Sequence, residues 1–454
     1  MFKSFHQFRT LVVSSSLRLL TRNITMAATT SWVPADAKGD FTIHNLPFGI
    51  FSTGSDAPRP GVRIGDSIVD LKALSSDPAA AKLTTIQGAA ASFAQPTLNA
   101  FAESGRAAHR GVRAELQAIL GEGGDALLKS NDALKQKVLV PASQAKMHLP
   151  MQIGDYTDFY AGYNHAFKVG VLFRGPDNAL QPNYTHIPVG YHGRSSSIVV
   201  SGTPIQRPRG QILTNPTAPV KEPITSACKR LDYELELGCF ISRSTKMGDA
   251  VDVNEADEYI FGYVLLNDWS ARDIQAWEYI PLGPFNGKNF GTTISPWIVT
   301  GDALEPFRAE ALENKTKIQP YLQESQKKNV YDIKLQITIN TDGKTDGNII
   351  SETSAKNLLW SFPQMVAHHT YGGCNLRAGD FLGSGTISGT ELKERGSLLE
   401  MTEGGKQDFE IGQGKVRRFL EDGDSVVMYG YCEKDGVRVG FGDCEGSILP
   451  AKAL

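Results

Sequence analysis

The sequence predicts a mostly β fold with attached helices. Short apolar runs of strand length outnumber helical patterns. They are bounded by Gly, Pro and Asn turn signals, and they lack the βαβ rhythm of a doubly wound sheet. From about Met147 onward the chain turns to strands, glycines and dense polar motifs, whereas residues 79–128 are rich in Ala and Leu at helical spacing.

Residues 1–35 stand apart. Lys3, Arg9, Arg18 and Arg22 lie among serines, with no acidic residue before Asp36. This reads either as an organellar transit peptide or as an unstructured extension with Met26 as an alternative start. Residues 36–146 form an N-terminal unit with strands expected at Phe41–Ile43, Gly49–Phe51, Val62–Ile64 and Ser67–Leu71. Leu116, Ile119 and Leu120 mark a helix, and Leu139–Ser143 leads into residues 147–454. There, strands are expected at Val169–Phe173, Ser197–Val200, Tyr233–Phe240, Tyr259–Leu266, Tyr331–Asn340 and Asp424–Tyr431. A helix follows the cap candidates Thr353 and Ser354, with a kink expected at Pro363.

At 454 residues the chain can bury a large core, and 41% hydrophobic with 21% charged residues is ordinary for a globular protein. A net charge of -3 gives no general attraction to nucleic acid or anionic membranes. No apolar run reaches the ~18 residues of a membrane span. The five cysteines form no CxxC pair, which argues against a disulfide framework or thiolate zinc site and fits a reducing compartment. There is no HExxH, no GxSxG and no Walker A loop. Gly383–Gly389 misses the dinucleotide pattern by one residue.

Three segments carry the chemistry. In Leu231–Leu237, strand geometry puts Glu234 and Glu236 on one face, about 7 Å apart. Such a pair suits a hard cation, although an ExE strand alone more often shows a solvated acidic face. In Leu265–Trp277 a strand ends and a helix is expected from Asn267 or Asp268. Asp268, Arg272 and Gln275 then share a face, as a polar site or as a cap with an intrahelical ion pair. Gly154–Tyr160 reads as a loop with Asp158 as a candidate ligand. His165 beyond it is a candidate general base or an incidental surface histidine.

Together with Pro188–Arg194, Gly291–Trp297, Gly385–Gly389 and Val439–Gly442, these segments resemble the fumarylacetoacetase family from about residue 40 to the end. The resemblance implies an SH3-like N-terminal barrel, a mixed β-sandwich roll and a homodimer. It implies Ca²⁺ or Mg²⁺ on Asp158, Glu234, Glu236 and Asp268, and a second small cation near Asp268, Lys288 and Thr292. His165 would be the base, oriented by Glu400. Arg272, Gln275 and Lys288 would stabilise charge, and Tyr160, Arg174, Tyr191, Gln275, Tyr279 and Thr386 would contact substrate. The implied reaction is hydrolysis of a carbon–carbon bond in a small diketo acid in the cytoplasm, unless the leader directs the chain to an organelle. A related hydrolase, decarboxylase or isomerase on the same scaffold, and a calcium-stabilised binding protein, are the competing readings.

Overall fold

The computed structural model describes residues 30–453, so most of the leader read from residues 1–35 lies outside the described residues. Ser31–Val33 already belong to the packed chain: the Trp32 indole donates to the Ile119 carbonyl at 2.9 Å, and Val33 is buried.

The N-terminal unit is an SH3-like, five-stranded antiparallel sheet ordered Leu139–Pro141, Ser67–Asp70, Arg59–Ile64, Phe48–Thr53, Ala145–His148. Asp70 ends its strand and caps the helix Leu71–Ser76 by accepting from the Ala73 amide, so Leu71 is helical rather than extended. Helix Arg106–Leu120 buries Val112, Leu116, Ile119 and Leu120 against this sheet's core. The expected strand at Phe41–Ile43 is a turn; the Asp36 carboxylate accepts from the amides of Asp40 and Phe41 and bends the chain there.

The larger part is built on a seven-stranded mixed sheet. Its centre runs Tyr156–Phe159, Phe381–Gly383, Leu235–Ile241, Ile260–Asp268, and the first two of these pair in parallel. A six-stranded sheet includes Lys334–Asn340, Ser425–Lys434 and Cys444–Leu449. Strand Ile260–Asp268 is buried along its whole length. Phe261, Val264 and Leu266 pack into the N-terminal core, whereas Tyr263 and Leu265 pack into the other. A strand covered on both faces loses the polar half of its alternation, which is why Ile260–Leu266 reads as an apolar run. At Gly430 a Cβ would stand 2.7 Å from Leu265, so a glycine is needed where the two sheets meet.

Two expectations are corrected in this region. Val169–Phe173 lies in the helix Tyr163–Arg174, not in a strand. Its β-branched residues favour a strand only weakly, and the tertiary packing of Ala166 and Gly170 decides for helix. Gly170 leaves no room for a Cβ, which would lie 1.8 Å from the Ala179 carbonyl oxygen. The helix expected after Ser354 splits in two. Ser354 caps a single 3₁₀ turn, Ala355–Asn357, and the α-helix is Phe362–Tyr371, opened by a capping box of Ser361 and Gln364. Pro363 sits in its first turn, where no amide is needed, and therefore does not kink it.

Ser361→Ala removes the cap and is expected to cost about 1 kcal/mol of stability. Urea unfolding should show a lower midpoint while turnover per folded molecule is unchanged.

Candidate active site

Three strands of the seven-stranded sheet each bring one carboxylate to a common point. Asp158 comes from Tyr156–Phe159, Glu236 from Leu235–Ile241 and Asp268 from the end of Ile260–Asp268. One oxygen from each lies within 4.8 Å of the others, and all three residues are buried. Gly383 makes this approach feasible. A Cβ there would sit 2.7 Å from Asp158 Oδ1 and 3.1 Å from Glu236 Oε2.

Burial, then the charge of Asp268, pushes the Asp158 carboxyl well above the ordinary carboxylate range. Burial, then Asp158 and Asp268, does the same to Glu236. Asp158 Oδ1 and Glu236 Oε1 are buried and have no hydrogen-bond partner among the described residues. Unpartnered oxygens in an all-carboxylate set fit a hard divalent cation.

The strand of Glu236 starts at Leu235, and Glu234 precedes it, its amide donating to Asn267 Oδ1 at 3.2 Å. Its carboxylate pairs with Arg272 Nη1 at 2.7 Å and with Lys288 Nζ. Burial alone would raise its pKa, but Lys288, Arg272 and His165 outweigh burial and hold it well below the usual range. Lys288 also pairs with Asp268. Burial disfavours the ammonium, but Asp268 and Glu234 reverse this and keep it charged. Asp268 ends a strand and opens no helix. The helix is Arg272–Glu278, so Asp268 and Arg272 meet through Glu234 rather than across helical turns.

Gly154–Tyr160, expected as a loop, contains the buried strand Tyr156–Phe159, whose pairing with Phe381–Gly383 needs no apolar period. His165 beyond it lies in the first turn of helix Tyr163–Arg174. Its Nδ1 is 2.7 Å from Glu400 Oε2, and its Nε2 is 3.7 Å from Glu234 Oε1. Ser388 and Ser397 each donate to Glu400 Oε2 at 2.9 Å. Burial pushes the Glu400 carboxyl up, but His165 and these hydrogen bonds prevail and lower it. With Nδ1–H donated to a charged Glu400, a neutral imidazole would present Nε2 as its acceptor on the side of Glu234.

The tyrosines border this site. Tyr160 stands edge-on to the His165 ring with centroids 5.6 Å apart, and the Tyr191 hydroxyl is 3.4 Å from Asp268 Oδ2. Gln275 Oε1 is 3.4 Å from Arg272 Nη1, and Thr292 Oγ1 is 3.4 Å from Asp268 Oδ1. Thr386 is buried, with its backbone against Gly162 at the start of the His165 helix. Two of the expected residues make no contact with the cluster. Arg174 donates to the carbonyls of Asn178 and Ala179, and Tyr279 is on an exposed loop.

Two family models span most of the chain. The fumarylacetoacetase N-terminal model matches residues 44–150, and the fumarylacetoacetate hydrolase C-terminal model matches residues 156–448. The chain belongs to the fumarylacetoacetate hydrolase family. It is 55% identical to a fumarylacetoacetase of Aspergillus fumigatus, over 93% of this chain and 99% of that one. The fumarylacetoacetases of Bos taurus and Homo sapiens are 48% and 46% identical over the same shares. Among solved structures, a fumarylacetoacetate hydrolase from Exiguobacterium antarcticum has a TM-score of 0.50 at 16% identity, covering 90% of this chain and 100% of that one; this likeness concerns the fold.

Within this family member several site residues escaped the sequence reading. Asp232, Ser388 and Ser397 touch the groups named above; Asp232 and Ser388 lie inside the segments Leu231–Leu237 and Gly385–Gly389 without being singled out there. Tyr156 carries a buried hydroxyl without a partner, 3.1 Å from where a Gly383 Cβ would be. Asp232 alone had a signal: it precedes Glu234 by two residues, the same spacing that drew attention to Glu236.

Protons on Asp158 and Glu236 compete with a cation for the same oxygens, so Ca²⁺ or Mg²⁺ affinity should climb as pH rises and binding should release protons. Calorimetry in buffers of different ionisation enthalpy measures both. Gly383→Ala should weaken cation binding by tenfold or more in the same titration, on the order of an outer-contact loss.

Proposed function

We propose that this chain hydrolyses the carbon–carbon bond of 4-fumarylacetoacetate to fumarate and acetoacetate, the last step of tyrosine and phenylalanine degradation in the cytoplasm. The supporting observation is 46–55% identity to fumarylacetoacetases over 93% of the chain, together with a His165–Glu400 pair at 2.7 Å beside a buried carboxylate cluster.

Asp158, Glu236 and Asp268 would hold Ca²⁺ or Mg²⁺, with Glu234 as a fourth carboxylate beside them. A second small cation near Asp268, Lys288 and Thr292 completes the proposed set. A divalent cation bound there supplies Lewis-acid polarisation of neighbouring carbonyl oxygens. His165 Nε2 takes a proton from water, and the water oxygen bonds to the carbonyl carbon on the fumaryl side. Glu400 keeps Nδ1 protonated and stabilises the imidazolium that forms.

Arg272, Lys288 and Gln275 surround the developing oxyanion. Arg272 Nη2 is 2.9 Å from Asp232 Oδ2 without an aligned hydrogen bond, and so has an N–H to offer. Collapse of the tetrahedral adduct breaks the carbon–carbon bond. The acetoacetate fragment leaves as an enolate and takes the proton back. Tyr160, Tyr191 and Thr386 line the approach. Arg174 and Tyr279 would reach the substrate only after rearranging their present contacts.

The chain would act as a homodimer. Phe167 and Phe173 on the His165 helix and Ile280, Leu282 and Phe285 after the Arg272 helix are exposed, with Leu282 94% accessible. Among the described residues no helix is long and apolar enough to cross a membrane. Sedimentation should give twice the chain mass, and a monomer would end the dimer reading.

His165→Ala should lower kcat by about 10²–10⁴ with cation affinity unchanged. Loss of fumarylacetoacetate with appearance of fumarate and acetoacetate is followed against acylpyruvates as comparison substrates. Near-native turnover of the variant would remove His165 as the base, and preference for acylpyruvates would redirect the substrate assignment.

A further inference from the structure

We propose that Asp232 is the positioning residue that locks the general-base pair and the oxyanion donor into one frame. The inference rests on the proposed roles of His165, Glu400 and Arg272.

Asp232 is completely buried, and four donors converge on its carboxylate. Oδ2 accepts from Arg272 Nε at 2.9 Å and from the Leu399 amide at 2.9 Å. Oδ1 accepts from the Leu398 amide at 2.8 Å and from its neighbour's amide, Tyr233, at 2.9 Å. Leu398–Met401 is the four-residue helix that carries Glu400. One turn of helix is not stable alone, because nucleation costs more than one hydrogen bond returns. Its orientation therefore depends on what binds its ends. Ser397 caps it weakly, at 3.4 Å to the Glu400 amide, and Asp232 takes the two amides that would otherwise lack partners.

The register supports the same assignment. Leu231–Asp232 pairs antiparallel with Ser270–Ala271, so Asp232 lies opposite Ser270, two residues before Arg272. One side chain thus ties a strand, the start of the Arg272 helix and the start of the Glu400 helix. Asp232 touches neither the carboxylate trio nor His165, so its effect on turnover would be transmitted through Arg272 and Glu400. An asparagine would fit the space, but every partner is a donor. Its amide nitrogen would face at least one N–H in either orientation.

The test compares Asp232→Asn, Glu400→Gln, Arg272→Gln and their pairs, assayed with saturating divalent cation. Asp232→Asn should lower kcat by about 10–100-fold, as loss of an orienting contact does, with cation affinity little changed. In the Glu400→Gln background the same substitution should cost much less than it does in the wild type, because both act on one group. Full additivity overturns the proposal, as does a lowered melting temperature with unchanged kcat per folded molecule. Should Asp232→Asn fail to fold, Arg272→Gln and Glu400→Gln still decide. Their costs should be less than multiplicative through the shared anchor, and independent costs overturn it. Wild-type turnover in both of those single variants would instead overturn the assigned catalytic roles.

Discussion

Mutual repulsion among buried carboxylates is the constraint on which this structure turns. Asp158, Asp232, Glu234, Glu236, Asp268 and Glu400 are all buried around one site, faced by the permanent charges of Arg272 and Lys288. Two unit charges at 4 Å repel by roughly 4 kcal/mol at an effective dielectric near 20. Such an array persists only if protons, ion pairs or a metal ion neutralise it. The protein uses ion pairs for one part and leaves Asp158 and Glu236 each with one oxygen that nothing among the described residues satisfies.

The fold supplies the rigidity that such an array demands. Three of the carboxylates sit on strands whose neighbours are fixed by backbone ladders, and the strand ending in Asp268 is clamped between two apolar cores. That clamp is why the N-terminal sheet matters to chemistry it never touches. Phe48 exchanges backbone hydrogen bonds with Ile298, at 3.0 and 2.7 Å, and Arg106 and Arg110 both reach Asp302 at 3.0 Å. The SH3-like sheet thus braces the sheet whose central strands bear the acids.

Much of this was legible in the sequence because strands impose a strict two-residue period and the acids interrupt apolar runs. Glu236 and Asp268 stand out for that reason. Glu234 is less plain, because the strand begins at Leu235, two residues later than the expected Tyr233, and the side chain meets two cations that lie 38 and 54 residues further along. Gly154–Tyr160 reads as a loop because its small, polar and aromatic residues show no apolar period, and Val169–Phe173 reads as a strand because a helix held by close backbone packing leaves no hydrophobic period to read. Asp232 derives its importance from Arg272, 40 residues further along, which no local pattern records, and Ser388 and Ser397, 12 and 3 residues from Glu400, matter because Glu400 meets His165 from 235 residues away.

The same carboxyl chemistry is thereby divided into different tasks by neighbourhood alone. Glu234 is kept ionised by Lys288, Arg272 and His165, and serves as a fixed counter-charge. Glu400 is kept ionised by His165 and two hydroxyls, and can therefore orient an imidazole and stabilise its protonated form. Asp158 and Glu236 are driven toward protonation by burial and then by their acidic neighbours, so they can exchange protons for a cation. Pushing the pKa values of adjacent groups apart is how one pocket accommodates a base and a cation site together. Glu234 stands at the boundary. It is 3.7 Å from His165 Nε2 and shares Lys288 with Asp268, so charge arriving at the trio is felt at the imidazole through one intervening carboxylate.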